Sequence, residues 1–327
     1  MTRLVLAGAG AIGRRHLAHI EAHPDLYLAA VIDPNPAISE LTDAPRYDSL
    51  EGADIEADGI VIATPTQNHA PTFAEAARRG WHALIEKPLA SNTAEIDDMI
   101  ADAQAADVHI LTAHHRRFHP RVTALKGALP RIGQPVLASV VWSVKKPDGY
   151  FDVGWRQGSE GAPVRMNVSH ELDLLQHLFG EVTDLAALGA NPVRGAARVE
   201  SGGVVLRFAC GLVATIAFAD CAPSPFGFEH GTGENPSIAT TGETSMVITG
   251  SNGAIAFPSL TLWENARDWG ECPASVTITA KDGVPLVRQL EHFARVIRGE
   301  EPPLNDARSG RRTLELTLEV ERLTMPA

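Results

Sequence analysis

Two short segments of the chain carry side chains that can exchange a proton with a substrate hydroxyl. Glu86-Lys87-Pro88 follows a short apolar run, and the proline restricts Lys87 to an extended backbone. His170 and Asp173 lie three residues apart at the start of an amphipathic segment, so they share one face of a helix. A lysine of lowered pKa and a histidine can both serve as general acid–base catalysts near neutral pH. The sequence therefore predicts Lys87 and His170 as catalytic, with Asp173 orienting the imidazole; a solvated lysine and a purely structural histidine are the alternatives.

A glycine-rich turn near the start of the chain has the spacing of a dinucleotide-binding site. Gly8, Gly10 and Gly13 follow an apolar run and open a helical segment, and Asp33 ends a second apolar run. The first glycine permits a tight turn, the second allows close approach of a pyrophosphate, and the third lets helix and strand pack closely. A carboxylate at Asp33 can accept both ribose hydroxyls and repels a 2′-phosphate, so the pattern predicts NAD rather than NADP. The alternative is a glycine-rich turn of another α/β domain.

A third polar segment follows the apolar run at 59–63. Thr64 and Pro65 are placed to line the dinucleotide. His69 is also predicted to contact the cofactor; the alternative is that the polar residues of this segment only cap the next helix. Ligands of open α/β sheets bind outside the carboxyl ends of the strands, where this segment and Lys87 are expected to lie. The predicted cofactor-binding residues are Gly8, Gly10, Ala11, Ile12, Gly13, Asp33, Thr64, Pro65, His69, Glu86 and Lys87.

Basic and aromatic residues cluster in the middle of the chain. Residues 114–170 contain nine Lys or Arg and three acids, a local charge of +6 in a chain whose net charge is −12. This pattern favours a pocket for an anionic or polyhydroxylated substrate, and unrelated surface charge is the alternative. Because guanidinium matches carboxylate in geometry, Arg156 is the first candidate for a carboxylate clamp. The other predicted substrate-binding residues are Arg117, Lys145, Tyr150 and Asn167.

The elements that hold these residues alternate between strand and helix in the first third of the chain, which predicts a doubly wound parallel sheet. After Pro120, short β-type runs succeed one another with few crossovers, which favours an α+β domain with a largely antiparallel open sheet. The predicted fold class is therefore α/β, with an NAD-binding domain at 1–118 and a substrate-binding and oligomerisation domain at 119–327.

Composition argues against several classes of function. The charge of −12 over 327 residues makes nucleic acid and anionic membranes poor partners. No apolar stretch is long enough to cross a bilayer, and the first apolar run is broken by glycines as in a strand rather than a signal peptide. Three cysteines without C-x-x-C spacing argue against a disulfide framework or a zinc site, so a cytoplasmic protein without a bound metal is expected.

The order of these segments resembles the Gfo/Idh/MocA oxidoreductases, the family of glucose-fructose oxidoreductase and inositol dehydrogenase. The resemblance covers nearly the whole chain and implies an N-terminal Rossmann domain, a C-terminal α/β domain with an open sheet, and NAD(P)-linked chemistry on sugars, polyols and related cyclic alcohols. It also implies that Lys87 corresponds to the lysine of the family's E-K-P motif and His170 to its helix histidine. The segments that carry it are the glycine motif with Asp33, Ala63-Thr64-Pro65 with His69, Glu86-Lys87-Pro88, and Ser169-His170 with Asp173.

One position departs from the family pattern. Many members carry an aspartate four residues before the histidine, where this chain has Met166 followed by Asn167. Asparagine cannot transfer a proton as an acid or base, but it can hydrogen-bond a substrate hydroxyl. The departure leaves Lys87 and His170 for proton transfer, with Asp173 in support.

The residues and the resemblance predict an NAD-dependent dehydrogenase acting on a secondary alcohol of a sugar, a sugar acid or a polyol. His170 would exchange the hydroxyl proton, and Lys87 would stabilise the developing alkoxide. A homodimer or homotetramer built through the C-terminal sheet is also expected. Two alternatives are a non-catalytic NAD-sensing regulator of the same fold and an NADP-linked reductase of aryl or unsaturated substrates. The intact Lys87 and His170 argue against the first, and Asp33 argues against the second.

Overall fold

The computed structural model describes residues 1–195 and 198–325, and the chain divides into two units. The first unit comprises Met1–His115 and Leu286–Glu315, and the second comprises Arg116–Pro285 and the C-terminal residues from Leu316 onward. The predicted boundary at 118 falls close to this division. The structure differs in placing 286–315 with the first unit, whereas the sequence analysis assigned all residues after 118 to one domain. The functions predicted for the two domains stay predictions.

The first unit is built on a six-stranded parallel sheet in the order β3-β2-β1-β4-β5-β6. Its central strand β4 is buried at all four residues, as expected for a parallel sheet covered on both faces. This is the predicted doubly wound arrangement. Its strands are β1 Thr2–Ala7, β2 Leu26–Ile32, β3 Arg46–Tyr47, β4 Gly59–Ile62, β5 His82–Ile85 and β6 Ile110–Thr112, and its first helices are α1 Ala11–Ala22, α2 His69–Arg78 and α3 Thr93–Ala106.

The second unit contains an eight-stranded sheet in the order β14-β13-β12-β11-β7-β10-β9-β8. Only the β7–β10 pair among the described strands of this sheet runs parallel, so the predicted largely antiparallel sheet is confirmed. Its strands are β7 Pro135–Ser143, β8 Val182–Ala190, β9 Ser201–Phe208, β10 Val213–Ala219, β11 Met246–Gly250, β12 Gly253–Phe257, β13 Thr261–Glu264 and β14 Ala274–Thr277, and its helices are α4 Pro120–Ala128, α5 Ser169–Phe179 and α6 Phe228–Thr232.

Two helices end the chain, α7 Pro285–Ile297 and α8 Ala307–Thr324. Apolar residues of α7 such as Leu290 and Phe293 are fully buried in the same core as Leu4 of β1. This packing explains why the segment joins the first unit despite its distance along the chain. Within the described residues, no helix combines the length and the apolar character needed to span a bilayer.

The second sheet buries one face and exposes the other. In β7 the side chains of Ala138, Val140 and Trp142 are at most 2% exposed, while Leu137 on the opposite face is 43% exposed. The buried face packs against α5 in a core that includes Leu172, so this core fixes the helix that carries His170.

One segment with the composition of a loop contains a helix. The stretch 222–242 is rich in Gly, Pro, Ser and Thr, which is typical of a mobile loop, but it contains α6. Phe228 is 1% exposed and its ring stacks on Phe257 at a centroid distance of 5.2 Å, while Glu229 is 7% exposed. Tertiary burial of these two side chains overrides the local turn composition.

Candidate active site

The glycine turn has the geometry that the sequence predicts for a dinucleotide-binding loop. Gly8 has a φ of +86°, and a Cβ there would lie 2.7 Å from the backbone of Ala63. A Cβ at Gly13 would lie 2.0 Å from the carbonyl oxygen of Gly8, so strand and helix meet too closely for any side chain. A Cβ at Gly10 would meet nothing within 4 Å, and no side chain caps the helix there. The start of α1 is therefore open at Gly10, as the approach of a pyrophosphate to a helix N-terminus requires.

Asp33 lies at the carboxyl end of β2, next to this turn. Its Oδ2 atom accepts a hydrogen bond of 2.7 Å from the backbone N–H of Ala9, and its Oδ1 atom accepts one of 2.9 Å from the N–H of Asn35. The side chain is half-buried. A carboxylate has about four acceptor positions, so these two bonds orient the group and leave acceptor capacity for ribose hydroxyls. The residues of the turn and of Asp33 fit the adenosine half of NAD.

The turn that holds Lys87 is connected to α1 by a buried hydrogen bond between His16 and Glu86. His16 is fully buried and donates from Nε2 to Glu86 Oε1 over 2.9 Å, while Glu86 Oε2 accepts the backbone N–H of Lys87 at 3.3 Å. Burial acts to raise the pKa of Glu86, but the hydrogen bond from His16 and the charges of His115 and Lys87 outweigh it and hold that pKa below its usual range. Glu86, predicted as a cofactor-binding residue, therefore has a structural partner that sequence reasoning missed.

His69 connects the segment after β4 to the segment after Lys87. Its Nε2 atom lies 2.9 Å from the carbonyl oxygen of Thr64, and its Nδ1 atom lies 3.1 Å from that of Pro88. The ring is 1% exposed, and burial lowers its pKa. Among the described residues, the buried Thr64 Oγ1 atom has no hydrogen-bond partner, which suits a contact with a cofactor. The predicted cofactor contact of His69 itself stays a prediction.

In the second unit, His170 lies in the first turn of α5 and is 9% exposed. The helix is preceded by one π-helical turn at Val164–Val168, and the Ser169 hydroxyl donates to the carbonyl of Arg165 at 2.7 Å. Asn167 lies in that π-helical turn, and its buried Oδ1 atom has no hydrogen-bond partner in the described part of the chain. This arrangement supports the prediction that Asn167 can accept a hydrogen bond from a substrate hydroxyl near His170.

Two predicted site residues are bonded to each other. Arg117 donates from Nε and Nη2 to the two carboxylate oxygens of Asp173, at 2.9 and 2.6 Å, and both side chains are buried. Arg117 was predicted as a substrate ligand and Asp173 as the orienter of His170. The bidentate pair orients Asp173 in the first turns of α5, and the two predicted roles stay predictions.

The neighbouring Arg116 forms a buried cluster with three glutamates, which sequence analysis missed. Its guanidinium donates to Glu171 at 2.6 Å and to Glu229 at 2.7 Å, and it lies 3.4 Å from Glu234. Trp142 also donates to Glu229, at 2.9 Å. Burial and the charges of the neighbouring glutamates raise the pKa of Glu171, although Arg116 opposes them. Glu171 and Glu229 are 55 and 113 positions away from Arg116 in the chain, so no local sequence pattern could have revealed these contacts.

The basic segment 114–170 is largely neutralised by acids from other parts of the second unit. At least five of its nine cations form ion pairs with described residues, which lowers the weight of the local +6 as evidence for an anionic substrate. Of the predicted substrate-binding residues, Lys145 is exposed, Tyr150 is half-buried, and Arg156 lies 4.3 Å from the Tyr150 ring centroid. The ion pairs are Arg116 with Glu171, Glu229 and Glu234, Arg117 with Asp173, Arg131 with Glu264, Lys146 with Asp220, and Arg165 with Glu321.

Comparison with known proteins gives relatives along almost the whole chain. The inositol 2-dehydrogenase of Rhizobium meliloti is 27% identical over 294 residues, covering 86% of this chain and 79% of that protein. The UDP-N-acetylglucosamine 3-dehydrogenase of Acidithiobacillus ferrooxidans is 26% identical over 336 aligned residues, covering 97% and 96%, and its solved structure superposes with a TM-score of 0.77 at 24% identity over 99% of this chain and 98% of that one. The WlbA dehydrogenase of Bordetella pertussis, solved with NADH and UDP-GlcNAcA, has a TM-score of 0.76 at 24% identity over 98% and 96%.

Two family models match the chain in the expected order. The Gfo/Idh/MocA model described as "oxidoreductase family, NAD-binding Rossmann fold" matches residues 2–114, and the Gfo/Idh/MocA C-terminal domain matches residues 129–256. Both matches fall on the sheets described above, and the glycine turn has the shape that a dinucleotide requires. The chain therefore belongs to the Gfo/Idh/MocA family of oxidoreductases, with an NAD-binding Rossmann fold in its N-terminal part.

Proposed function

We propose that the chain is an NAD-dependent dehydrogenase that transfers a hydride between nicotinamide and a secondary alcohol of a sugar, a sugar acid or a polyol. The observation that carries the proposal is Lys87 at the carboxyl end of the parallel sheet, next to a turn shaped for a dinucleotide. Relatives named for inositol and for UDP-N-acetylglucosamine support this class of substrate.

The proposed roles follow from what each side chain can do. Bound NAD supplies the hydride acceptor. The N–H groups at the start of α1 bind its pyrophosphate, and Asp33 accepts the ribose hydroxyls and disfavours a 2′-phosphate. His170 takes the proton of the substrate hydroxyl, Lys87 donates a hydrogen bond to the same oxygen as its charge develops, and Asn167 orients the substrate.

The substrate-binding roles of Arg156, Lys145 and Tyr150 belong to the same proposal. Arg156 donates from Nη1 to the carbonyl oxygen of Tyr150 at 3.2 Å, which holds its guanidinium in the loop before α5. A guanidinium in this position suits an anionic group better than an ammonium does, because it keeps its planar donor geometry.

We also propose that the exposed face of the second sheet is covered by a second copy of the chain, in a homodimer or a homotetramer. Leu137, Val205 and Val247 are 43%, 47% and 37% exposed on that face, in β7, β9 and β11, which lie within four consecutive strands of the sheet. Antiparallel sheets with one apolar outer face commonly bury it. Light scattering should give a dimer or larger mass, and Val247→Asp should lower it whereas Leu41→Asp, on the first unit, should not. A monomer mass for the wild type would contradict the assembly.

The proposed location is the cytoplasm. Cys210, Cys221 and Cys272 are all free thiols, as expected for a protein that works in a reducing compartment. Neither nucleic acid nor a membrane surface is a proposed partner, because the chain carries a net charge of −12.

The function is tested by measuring reduction of NAD and of NADP over a panel of inositols, neutral sugars, aldonates, sugar phosphates and nucleotide sugars, with oxidation of NADPH by aryl and unsaturated substrates as a second assay. The proposal expects turnover with at least one of these alcohols and a preference for NAD over NADP. Binding of NAD without turnover on any member of the panel would favour the sensing regulator. Activity confined to NADPH and aryl or unsaturated substrates would favour the reductase.

A further inference from the structure

Two arginines lie near Asp33, and they differ in whether an acid already neutralises them. Arg46 donates to the carbonyl oxygen of Asp33 at 2.6 Å and forms an ion pair of 2.5 Å with Asp48. Arg14 is exposed and donates from Nε to the carbonyl oxygen of Ala9 at 3.2 Å. In the described part of the chain, no carboxylate oxygen lies within 4.0 Å of the Arg14 guanidinium, and its Nη1 and Nη2 atoms form no hydrogen bond.

We propose that Arg14 binds the 2′-phosphate of NADP and so determines how strongly the chain discriminates between the two nicotinamide cofactors. Asp33 repels that phosphate, and Arg14 opposes the repulsion. This inference rests on the proposed function for the placement of the adenosine ribose at Asp33. It adds a second residue to the selection of the cofactor, which the sequence analysis assigned to Asp33 alone.

The reach of Arg14 follows from its hydrogen bond to Ala9. The N–H of Ala9 donates to Asp33 Oδ2 at 2.7 Å, and the carbonyl oxygen of Ala9 accepts from Arg14 Nε at 3.2 Å. The two side chains therefore contact the two ends of one residue, and backbone dimensions place Arg14 Nε within about 10 Å of Asp33 Oδ2. A 2′-phosphate projects from the ribose, and the Nη atoms project beyond Nε, so the two groups can meet across this distance.

The position of Arg14 in α1 favours an anion as its partner. The helix begins at Ala11 and has no acidic residue in its first turn. A helix N-terminus carries a partial positive charge, which stabilises acids there and disfavours cations. Arg14 is the fourth residue of the helix and adds a full positive charge at this end. A phosphate bound here is attracted by the guanidinium and by the helix together.

The hydrogen bond to Ala9 leaves the part of Arg14 that recognises phosphate available. A guanidinium has five N–H donors in a planar arrangement, and Nε carries only one of them. The donors on Nη1 and Nη2 can bind phosphate oxygens with charge-assisted hydrogen bonds. Because the bond to Ala9 already restricts this long side chain, less entropy is lost when an anion binds. NAD has a neutral hydroxyl at the 2′ position and should gain little from Arg14.

The pyrophosphate shared by NAD and NADP is the alternative partner of Arg14. It is expected at the start of α1, which is open at Gly10. Contact with the pyrophosphate would strengthen the binding of both cofactors equally, whereas contact with the 2′-phosphate would strengthen only that of NADP. The bond of Arg14 to Ala9, the residue that also bonds Asp33, favours the 2′ position.

The first test measures the binding of NAD and of NADP by calorimetry without substrate. Arg14→Met keeps an apolar stem and removes the charge. It should weaken NADP about tenfold, the loss expected for one charge-assisted hydrogen bond, and change the affinity for NAD less than about twofold. Retained NAD binding also shows that the variant is folded. Arg15→Met is the matched control, because Arg15 is the next residue and points about 100° around the helix; it should leave both affinities unchanged.

A double-mutant cycle keeps the test decisive if wild-type binding of NADP is too weak to measure. Asp33→Ala removes the repulsion and should make NADP binding measurable. Adding Arg14→Met should then lower the affinity for NADP about tenfold, whereas adding Arg15→Met should not. Two fragments locate the contact, since adenosine 2′,5′-bisphosphate and adenosine 5′-monophosphate differ only in the 2′-phosphate. Arg14→Met in the Asp33→Ala background should weaken only the first.

The proposal would be overturned if Arg14→Met weakened NAD and NADP equally, because the arginine would then contact a group that the two cofactors share. Unchanged NADP affinity in the Asp33→Ala background, or an equal loss caused by Arg15→Met, would also overturn it. NADP binding that depends on Arg14, without turnover of any alcohol, would support the proposal while contradicting the dehydrogenase. Turnover of an alcohol, with NADP affinity independent of Arg14, would support the dehydrogenase while contradicting the proposal.

Discussion

Replacing Arg116 with methionine should destabilise the second unit strongly, because Arg116 is the cation among three buried glutamates. Methionine matches the length of the arginine stem but cannot carry charge. The Arg116 side chain is 2% exposed, and those of Glu171 and Glu229 are 2% and 9% exposed. The substitution leaves these carboxylates in a region that water barely reaches.

The expected magnitude follows from this burial. Removing one partner of a buried ion pair costs about 3–5 kcal/mol, since the other charge stays behind uncompensated. Glu171→Gln should cost less than about 1.5 kcal/mol, because Arg116 keeps Glu229 and the amide can still accept a hydrogen bond. Arg131→Met is the exposed control; its pair with Glu264 is partly solvated and should be worth less than about 1 kcal/mol.

The stability lost on Arg116→Met should also depend on pH, and it should be larger at high pH. Burial already holds the pKa of Glu171 above its usual value against the effect of Arg116, so without Arg116 that pKa rises further. The folded variant then binds more protons than the unfolded chain, and its stability increases as pH falls. The cost of Arg116→Met should therefore shrink between about pH 8 and about pH 5.

Urea unfolding followed by tryptophan fluorescence and circular dichroism measures these effects. Four of the five tryptophans, the buried Trp142 among them, belong to the second unit, so the emission reports mainly on that unit. A chain of two units need not unfold in one step. The change in the free energy of unfolding is therefore taken from the transition in which Trp142 becomes exposed. The reasoning would be refuted if Arg116→Met and Arg131→Met lowered the free energy of unfolding equally, or if the effect of Arg116→Met did not change with pH.

Three further predictions concern the cofactor site and α5. Asp33→Ala should narrow the preference for NAD over NADP in calorimetry, and an unchanged ratio would count against its ribose role. Gly13→Ala should weaken NAD binding at least about tenfold, because its Cβ would lie 2.0 Å from the Gly8 carbonyl oxygen; full affinity would show that the turn relaxes freely. Burial and the charge of Lys126 lower the pKa of His177 to about 4, so wild-type stability should fall by up to about 3 kcal/mol as pH drops from about 6.5 to about 4. His177→Gln should remove that part of the pH dependence, as measured by urea unfolding.

The local elements of the fold could be read from the sequence. The second apolar run, which Asp33 ends, forms the strand β2, and the glycine motif predicts the turn into α1. These features depend on neighbouring residues, whose apolar patterns and backbone requirements appear directly in the sequence. The family resemblance rests on the same kind of local motif.

The partners of buried charges could not be read in this way. The charge of +6 in 114–170 suggested an anionic substrate. Several of these cations instead form ion pairs with acids later in the chain, such as Glu171 and Glu321. Arg117 looked like a candidate substrate ligand, and no local signal predicted its buried bond to Asp173 or the bonds of Arg116 to glutamates. The contact of Arg156 with Tyr150 lies within one loop, whereas Arg194 and Arg198, which contact Phe151, come from another part of the chain. Such pairs depend on tertiary contact, which no local pattern encodes.

The central claim is that Lys87 and His170 move the substrate proton during hydride transfer to NAD. It is tested most directly by measuring turnover and NAD affinity together for the wild type, Lys87→Ala and His170→Ala on the alcohol found in the substrate panel. Each variant should lose turnover by a factor on the order of 10² or more, the usual scale for a general acid–base group, while its NAD affinity stays close to that of the wild type. Near-normal turnover in both variants would contradict the account.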